Sequence, residues 1–79
     1  MSQAEGSFTA QEWEQLKTRY GNICLRCGRG EPEVQLTPDH VVALATGGRN
    51  DIGNIQPLCR SCNSSKGAKL IDYREKAQG

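Results

Sequence analysis

The sequence predicts a small α+β domain that needs a cross-link to stabilise its core. Its 79 residues are 35% hydrophobic and 5% aromatic. Folding buries only about 60% of the unfolded surface of so short a chain, so such domains usually depend on disulfides, a metal ion or a partner chain. These values exclude a large-cored enzyme fold such as a Rossmann domain. The segment patterns below indicate one ββα unit with a helix before it.

Two C-x-x-C pairs supply the cross-link, and 31 residues separate them. The four cysteines are Cys24, Cys27, Cys59 and Cys62. Two thiolates three positions apart can bind one side of a tetrahedral ion, and two such pairs complete a four-sulfur zinc site. The alternatives are two local disulfides, which are typical of secreted chains, and a redox dithiol, which needs a βαβ context. Four protein ligands leave no open position, so this zinc is predicted to be structural.

A capping box predicts a helix over residues 10–20. Thr9 and Glu12 have the spacing at which each side chain bonds the backbone N–H of the other. Three apolar residues then fall on one helical face: Trp13, Leu16 and Tyr20. We expect this face to pack over the zinc region. Residues 1–8 are expected to form a flexible lead-in.

The segment between the cysteine pairs predicts strands and a long loop. Residues 34–37 and 39–42 are predicted to be two short strands, since Pro38 divides them. A glycine-rich loop is expected over residues 45–54, and a short edge strand over residues 55–58. The second cysteine pair then opens a helix that is predicted to run from Arg60 to about Lys66, where Gly67 ends it.

The net charge is a weak guide to the partner. The formal charge is +1, and four thiolates with one Zn²⁺ would lower it by two. Five basic and two acidic side chains lie in residues 60–79, which mildly favours an anionic ligand there. Residues 68–79 are expected to form a polar extension, helical around three residues: Leu70, Ile71 and Tyr73.

No membrane segment is expected. The longest apolar run covers residues 41–45, far short of the roughly 20 residues of a membrane span. Residues 1–6 contain no basic and apolar leader pattern, so we expect an intracellular, cytoplasmic protein.

Four polar residues are candidates for chemistry: Asp39, His40, Asn54 and Asn63. His40 is the one histidine of the chain, and histidine is the residue type best suited to act as a general base near neutral pH. Adjacent strand residues point to opposite faces, so Asp39 and His40 can share a pocket only where a strand twists or ends. A lone histidine is more often structural, and the two asparagines alone would be ordinary turn and cap residues.

Together these residues resemble the HNH endonuclease family in its four-cysteine, zinc-bound form. The matching segments are Asp39-His40, Gly47-Gly48, the run from Asn54 to Asn63, and Lys66-Gly67. The resemblance extends from about Cys24 to Gly67. It implies a ββα-metal (His-Me finger) core, here with an added N-terminal helix, and a nuclease domain over residues 9–67.

The resemblance also implies the role of each residue. His40 would be the base that activates water, and Asn54 would brace the loop and orient that base. Asp39 and Asn63 would hold a catalytic divalent ion, with Asn63 standing where the motif more often has histidine. A carboxylate and an amide oxygen are hard ligands, which suit Mg²⁺ or Mn²⁺. The implied activity is metal-dependent nicking of DNA.

DNA is therefore the expected partner, with contacts to its phosphate backbone and little sequence specificity. Four basic residues are candidates for these contacts, although each could equally be a solvated surface residue: Arg49, Arg60, Lys66 and Lys69. Because the net charge is weak, a homodimer or a DNA-processing partner protein could add affinity. Small proteins of this kind resemble phage or mobile-element products.

The main alternative is a non-catalytic zinc module that binds nucleic acid or a nuclease or packaging partner. Such a module would be expected to have lost His40 or one of the two ion ligands, Asp39 and Asn63. All three are present.

Overall fold

A computed structural model describes residues 6–74 of the chain. Its regular elements are helix α1 (Ala10–Arg19), strand β1 (Leu36–His40), strand β2 (Ile55–Cys59) and helix α2 (Arg60–Lys66). Two short 3₁₀ turns, Leu44–Thr46 and Ile52–Asn54, lie between the strands. The predicted α+β class is confirmed, with β1, β2 and α2 forming the ββα unit. Most of the predicted lead-in and the end of the predicted extension lie outside the described residues.

The capping box that predicted α1 is present. The Glu12 backbone N–H donates to Thr9 Oγ1 at 3.0 Å, and the Thr9 N–H donates to Glu12 Oε1 at 2.9 Å. The helix ends at Arg19, with Tyr20 as its C-cap. Trp13 packs against the buried cluster that contains three of the cysteines, so the expected position of this helix over the cysteine region is confirmed.

The two strands form an antiparallel sheet in which Pro38 of β1 lies opposite Pro57 of β2. The prediction of two separate strands over 34–37 and 39–42 was wrong, because β1 runs through Pro38 without a break. Residues of an antiparallel pair alternately direct their N–H and C=O groups toward and away from the partner strand. The Pro57 carbonyl oxygen does not bond to β1 but accepts a hydrogen bond from the Leu25 N–H at 3.1 Å, on the outer edge of β2. At these two positions the backbone N–H groups would point away from the partner strand, so the prolines remove no hydrogen bond between β1 and β2.

Helix α2 packs on both strands and starts directly from the end of β2. Its predicted bounds are confirmed, and Gly67 ends it with a φ of 59°. One buried cluster of the core combines cysteines with aliphatic side chains; its members are Cys24, Leu36, Leu58, Cys59 and Cys62. The apolar core and the cysteine cluster are therefore one structure.

The segment after α2 is not the predicted helix. Residues 69–73 have no helical structure, and Leu70 is 71% exposed. The cause is a buried glutamine on β2: Gln56 Nε2 donates to Ile71 O at 2.9 Å, and the Tyr73 N–H donates to Gln56 Oε1 at 2.8 Å. These two hydrogen bonds join the backbone of Ile71 and Tyr73 to the Gln56 side chain, so they hold the segment against the sheet. No helix among residues 6–74 is long and apolar enough to cross a membrane.

Candidate functional site

The four cysteine side chains meet at one point beside the sheet. Their Sγ atoms all lie within 4.8 Å of one another, and Cys27 Sγ is 3.8 Å from Cys59 Sγ. None forms a disulfide, whose sulfurs would be about 2.05 Å apart. A tetrahedral zinc ion with Zn–S bonds of about 2.3 Å places its sulfurs about 3.8 Å apart. The cluster can therefore hold a structural metal ion, and its geometry is consistent with zinc.

The backbone around each cysteine pair directs the sulfurs inward. Gly28 has a φ of 82°, which closes the first turn, and its N–H donates to Cys24 O at 2.8 Å. The second pair spans the end of β2 and the first turn of α2. Arg26 Nη1 donates to Cys62 Sγ at 3.5 Å, so a cation contacts the cluster from the first turn.

The thiols of the cluster differ in acidity. Burial raises the pKa of Cys24, but backbone N–H groups around its sulfur outweigh burial and lower the pKa to about 6. Burial raises the pKa of Cys62 to about 12, and the neighbouring thiols add to this rise. Four thiolates so close together would repel one another, so full ionisation needs a bound cation. This donor set therefore fits a divalent, thiophilic ion.

His40, the predicted base, is the last residue of β1 and is half-buried. Its Nε2 lies 2.7 Å from Oδ1 of Asn50. An amide oxygen only accepts hydrogen bonds, so in this arrangement Nε2 is the donor, and in a neutral imidazole Nδ1 is then the nitrogen that can accept a proton. Sequence reasoning missed Asn50, because an asparagine in a glycine-rich loop is an ordinary turn residue.

Asn54 braces the loop that carries Asn50. Its Nδ2 donates to Val42 O at 2.9 Å and to Arg49 O at 2.7 Å, while its Oδ1 accepts from the Val42 N–H at 3.0 Å. Gly48 packs so closely that an added Cβ would lie 1.8 Å from Val42 O. A bracing role for Asn54 was implied by the family resemblance, and its contacts fit that role.

Asp39 is buried between the sheet and α2. Its Oδ2 accepts from Gln56 Nε2 at 2.8 Å and lies 3.2 Å from Lys66 Nζ. The same ammonium donates to His40 O at 3.0 Å. Asp39 and His40 thus have different partners, as expected for adjacent strand residues, and β1 ends at His40. Sequence reasoning missed Gln56. The one signal in the sequence was that a polar residue stands between apolar neighbours in a predicted strand.

Asn63 lies over the same face of β1 as Asp39. Its Nδ2 donates to Thr37 Oγ1 at 2.8 Å, which leaves its Oδ1 available to a further partner. Thr37 and Asp39 are two residues apart in the strand, and Asn63 and Lys66 are three apart in α2, so each pair shares a face. The site thus offers an amide oxygen and a carboxylate between strand and helix. The side chain that contacts Asp39 from α2 is Lys66.

The four basic candidates occupy two kinds of position. Arg60 and Lys69 are exposed, and Arg49 is exposed while its Nε lies 2.5 Å from Asp51 Oδ2. The Lys66 side chain is 0% exposed. A contact between Lys66 and a DNA phosphate would require its ammonium to leave Asp39. A surface groove of about 340 Å³ borders Arg49 and the glycines of the loop.

Comparison with known families identifies the chain. A family model described as HNH endonuclease matches residues 24–77, which is more than half of the chain. The chain therefore belongs to the HNH endonuclease family, and the resemblance inferred from the motif is confirmed. The match also includes the segment after α2. No curated protein matches the chain significantly.

Proposed function

We propose that the protein is a metal-dependent DNA endonuclease that nicks one strand, with His40 as its general base. Membership of the HNH family supports nuclease activity. The observation that carries the assignment of the base is the contact between His40 Nε2 and Asn50 Oδ1 at 2.7 Å. In a neutral ring this contact leaves Nδ1 as the nitrogen that can accept a proton.

In the proposed reaction, His40 Nδ1 takes a proton from a water molecule aligned with the scissile phosphorus. Asn54 and Asn50 hold the ring and its loop in place during this transfer. Asp39 and Asn63 would hold a divalent ion, which supplies charge stabilisation at a non-bridging phosphate oxygen and at the departing 3′ oxygen. Solvent water would protonate the departing oxygen, so the products would carry a 5′-phosphate and a 3′-hydroxyl. One base and one ion act on one strand, so nicking is the unit event.

Oxygen ligands favour Mg²⁺ or Mn²⁺ at this second site. Asp39 contributes a carboxylate and Asn63 an amide oxygen, and two protein ligands leave the other positions to water and phosphate. This ion is distinct from the one that the four cysteines can hold, because thiolates and hard oxygens select different metals.

DNA would bind through its phosphates along the exposed basic residues. Arg60 lies within the second cysteine pair, Lys69 follows α2, and Arg49 borders the groove beside the loop that carries Asn50. Phosphate contacts position a duplex without reading its sequence, so little specificity is expected. The low net charge favours help from a second copy or a DNA-processing partner, in an intracellular and phage-like or mobile-element role.

A second candidate function is a zinc module without catalysis that binds nucleic acid or a nuclease partner. One observation favours it: Asp39 has two buried partners within the chain, Lys66 and Gln56. In such a module Asp39 would serve only to join the sheet to α2.

Supercoiled plasmid separates the two functions. The zinc-loaded protein with Mg²⁺ or Mn²⁺ should produce open circles, and leaving out both of these ions should stop this. His40→Ala should reduce the rate by about 10²–10⁴-fold, the usual contribution of a general base, while its zinc content and circular dichroism stay as in the wild type. If the wild type makes no more open circles than His40→Ala, the nuclease proposal is wrong and the binding module is favoured.

A further inference from the structure

The ammonium of Lys66 is the one cation within residues 6–74 that reaches both Asp39 and the end of β1. Its Nζ lies 3.2 Å from Asp39 Oδ2 and 3.0 Å from His40 O. The Lys66 side chain is 0% exposed and that of Asp39 is 4% exposed. The pair is therefore shielded from water and held on one side by Gln56, which donates to the same carboxylate oxygen at 2.8 Å.

Two donors, Lys66 and Gln56, hold the buried Asp39 carboxylate in place. Burial makes an isolated charge very unfavourable, so each member of the Lys66–Asp39 pair compensates the charge of the other. The contacts of Lys66 with Asp39 and with the His40 carbonyl also join α2 to the two motif residues at the end of β1. These contacts within the chain order the site.

The same ammonium opposes a divalent ion at Asp39. The ammonium neutralises the carboxylate that would bind the ion. It also repels any second cation nearby, and this repulsion is stronger where water is excluded. A DNA phosphate adjacent to the ion would restore the missing negative charge. Ion and DNA would then each increase the affinity of the other, since such coupling is reciprocal.

We infer that Lys66 is a resident cation of the ion site, which weakens divalent-ion binding in the free protein and makes it depend on DNA phosphate. This inference rests on the proposed function, because it takes Asp39 as an ion ligand. It gives the buried lysine a role in regulating ion binding rather than a role as a surface contact to DNA.

Mn²⁺ binding measured by electron paramagnetic resonance, on zinc-loaded protein without DNA, tests the inference. Lys66→Met should bind Mn²⁺ about tenfold more tightly than the wild type, within the usual range of coupling between sites. Arg29→Met is the matched control: it removes one positive charge from a side chain that is 67% exposed, and it should leave the affinity unchanged. Equal or weaker Mn²⁺ binding by Lys66→Met would overturn the inference.

A second measurement avoids any disturbance of folding by Lys66→Met. The His40→Ala protein, which should bind DNA without cutting it, keeps the Lys66–Asp39 pair. Its Mn²⁺ affinity should rise about tenfold when a short duplex is added. No rise with bound duplex would contradict the proposed dependence on phosphate.

Asp39→Asn distinguishes failure of this inference from failure of the proposed function. If Asp39→Asn binds Mn²⁺ as tightly as the wild type, Asp39 is not an ion ligand and the proposed ion site is wrong. If Asp39→Asn loses Mn²⁺ but Lys66→Met shows no gain, the ion site stands and the role of Lys66 is wrong.

Discussion

The Nε2 atom of His40 lies 2.7 Å from Oδ1 of Asn50, and this contact joins the end of β1 to the loop that follows it. The loop is itself fixed by Asn54, which bonds the backbone of Val42 and Arg49. The imidazole is therefore held by a side chain that is in turn held by a braced loop. Its orientation and its tautomer depend on both asparagines.

Removal of the Asn50 side chain should release the His40 ring. We expect Asn50→Ala to slow plasmid nicking by up to about 100-fold, the cost of a small displacement of a reacting group. The ¹⁵N shifts of the His40 ring should change as the fixed Nε2–H tautomer gives way to a mixture. Thr46→Ala removes another polar side chain of the same loop, one that bonds Ala43 O, and should change neither value. An Asn50→Ala protein with an unchanged rate and ring spectrum would contradict this role.

Zinc binding and folding should be coupled through the cysteine cluster. Cys59 lies at the junction of β2 and α2 and belongs to the buried core, so Cys59→Ser should lose both the metal and the fold. Zinc binding in small domains has an apparent free energy of about 10–16 kcal/mol, which exceeds the stability of such a core. Zinc content and circular dichroism test this. A mutant that stays folded without metal would show that the cluster is not required.

The contact between Lys17 and Glu31 predicts a pH-dependent contribution to stability. Lys17 Nζ lies 3.1 Å from Glu31 Oε1, and the Lys17 side chain holds the pKa of the Glu31 carboxyl below its ordinary value. The contribution is present above the unfolded-state pKa of about 4.3. It is lost as the pH falls through the lowered pKa of the folded state, because protonation removes the ion pair.

Glu31→Gln should therefore lower the free energy of unfolding at pH 7 by about 1 kcal/mol, since Glu31 is partly exposed. The difference from the wild type should shrink as the pH falls below about 4. Urea unfolding at several pH values measures it, with the zinc content of each protein checked at each pH so that only zinc-loaded samples are compared. Glu33→Gln, at a side chain that is 72% exposed, is the control and should have little effect. A wild-type advantage that persists at low pH would refute this assignment.

Gln56 should hold the segment after α2 on the sheet. Gln56→Leu removes its bonds to Ile71 O and the Tyr73 N–H and leaves both groups without that partner. We expect a loss of about 1–3 kcal/mol in stability and faster trypsin cleavage after Lys69. Gln35→Leu alters an exposed glutamine and is the matched control. Equal stability and equal cleavage of the two variants would count against the anchoring role.

Local signals predicted the parts of the fold that depend on neighbouring residues. The start of α1 was predicted from the capping box at Thr9 and Glu12, and the end of α2 from the glycine after Lys66. Both predictions were close because caps act within a few residues. The cysteine spacing predicted the metal cluster, since the spacing is itself part of the ligand geometry. The continuity of β1 depends on Pro57 across the sheet, which no feature near Pro38 indicates.

The missing parts of the candidate site depend on long-range contacts. Lysine is seldom fully buried, so sequence reasoning placed Lys66 on the surface. Its buried position depends on the Asp39 carboxylate, which lies 27 residues earlier in the chain. Gln56 joins Asp39 to the segment around Tyr73, and Asn50 meets His40 across the loop. Pairings of this kind leave no periodic pattern in a single sequence.

The proposed site is tested most directly by measuring how close the divalent ion lies to the His40 imidazole. His40 is the one histidine of the chain, so the C–H signals of its ring can be assigned without ambiguity by NMR. Bound Mn²⁺ broadens the signals of nearby protons, and excess Mg²⁺, which competes for the site, reverses the effect. Because the free protein is expected to bind the ion weakly, Mn²⁺ is added until electron paramagnetic resonance shows it bound to the wild type. We predict that Mn²⁺ at this concentration broadens the His40 ring signals in the zinc-loaded wild type and not in Asp39→Asn. Sharp ring signals with bound Mn²⁺, or equal broadening in Asp39→Asn, would contradict the proposed site.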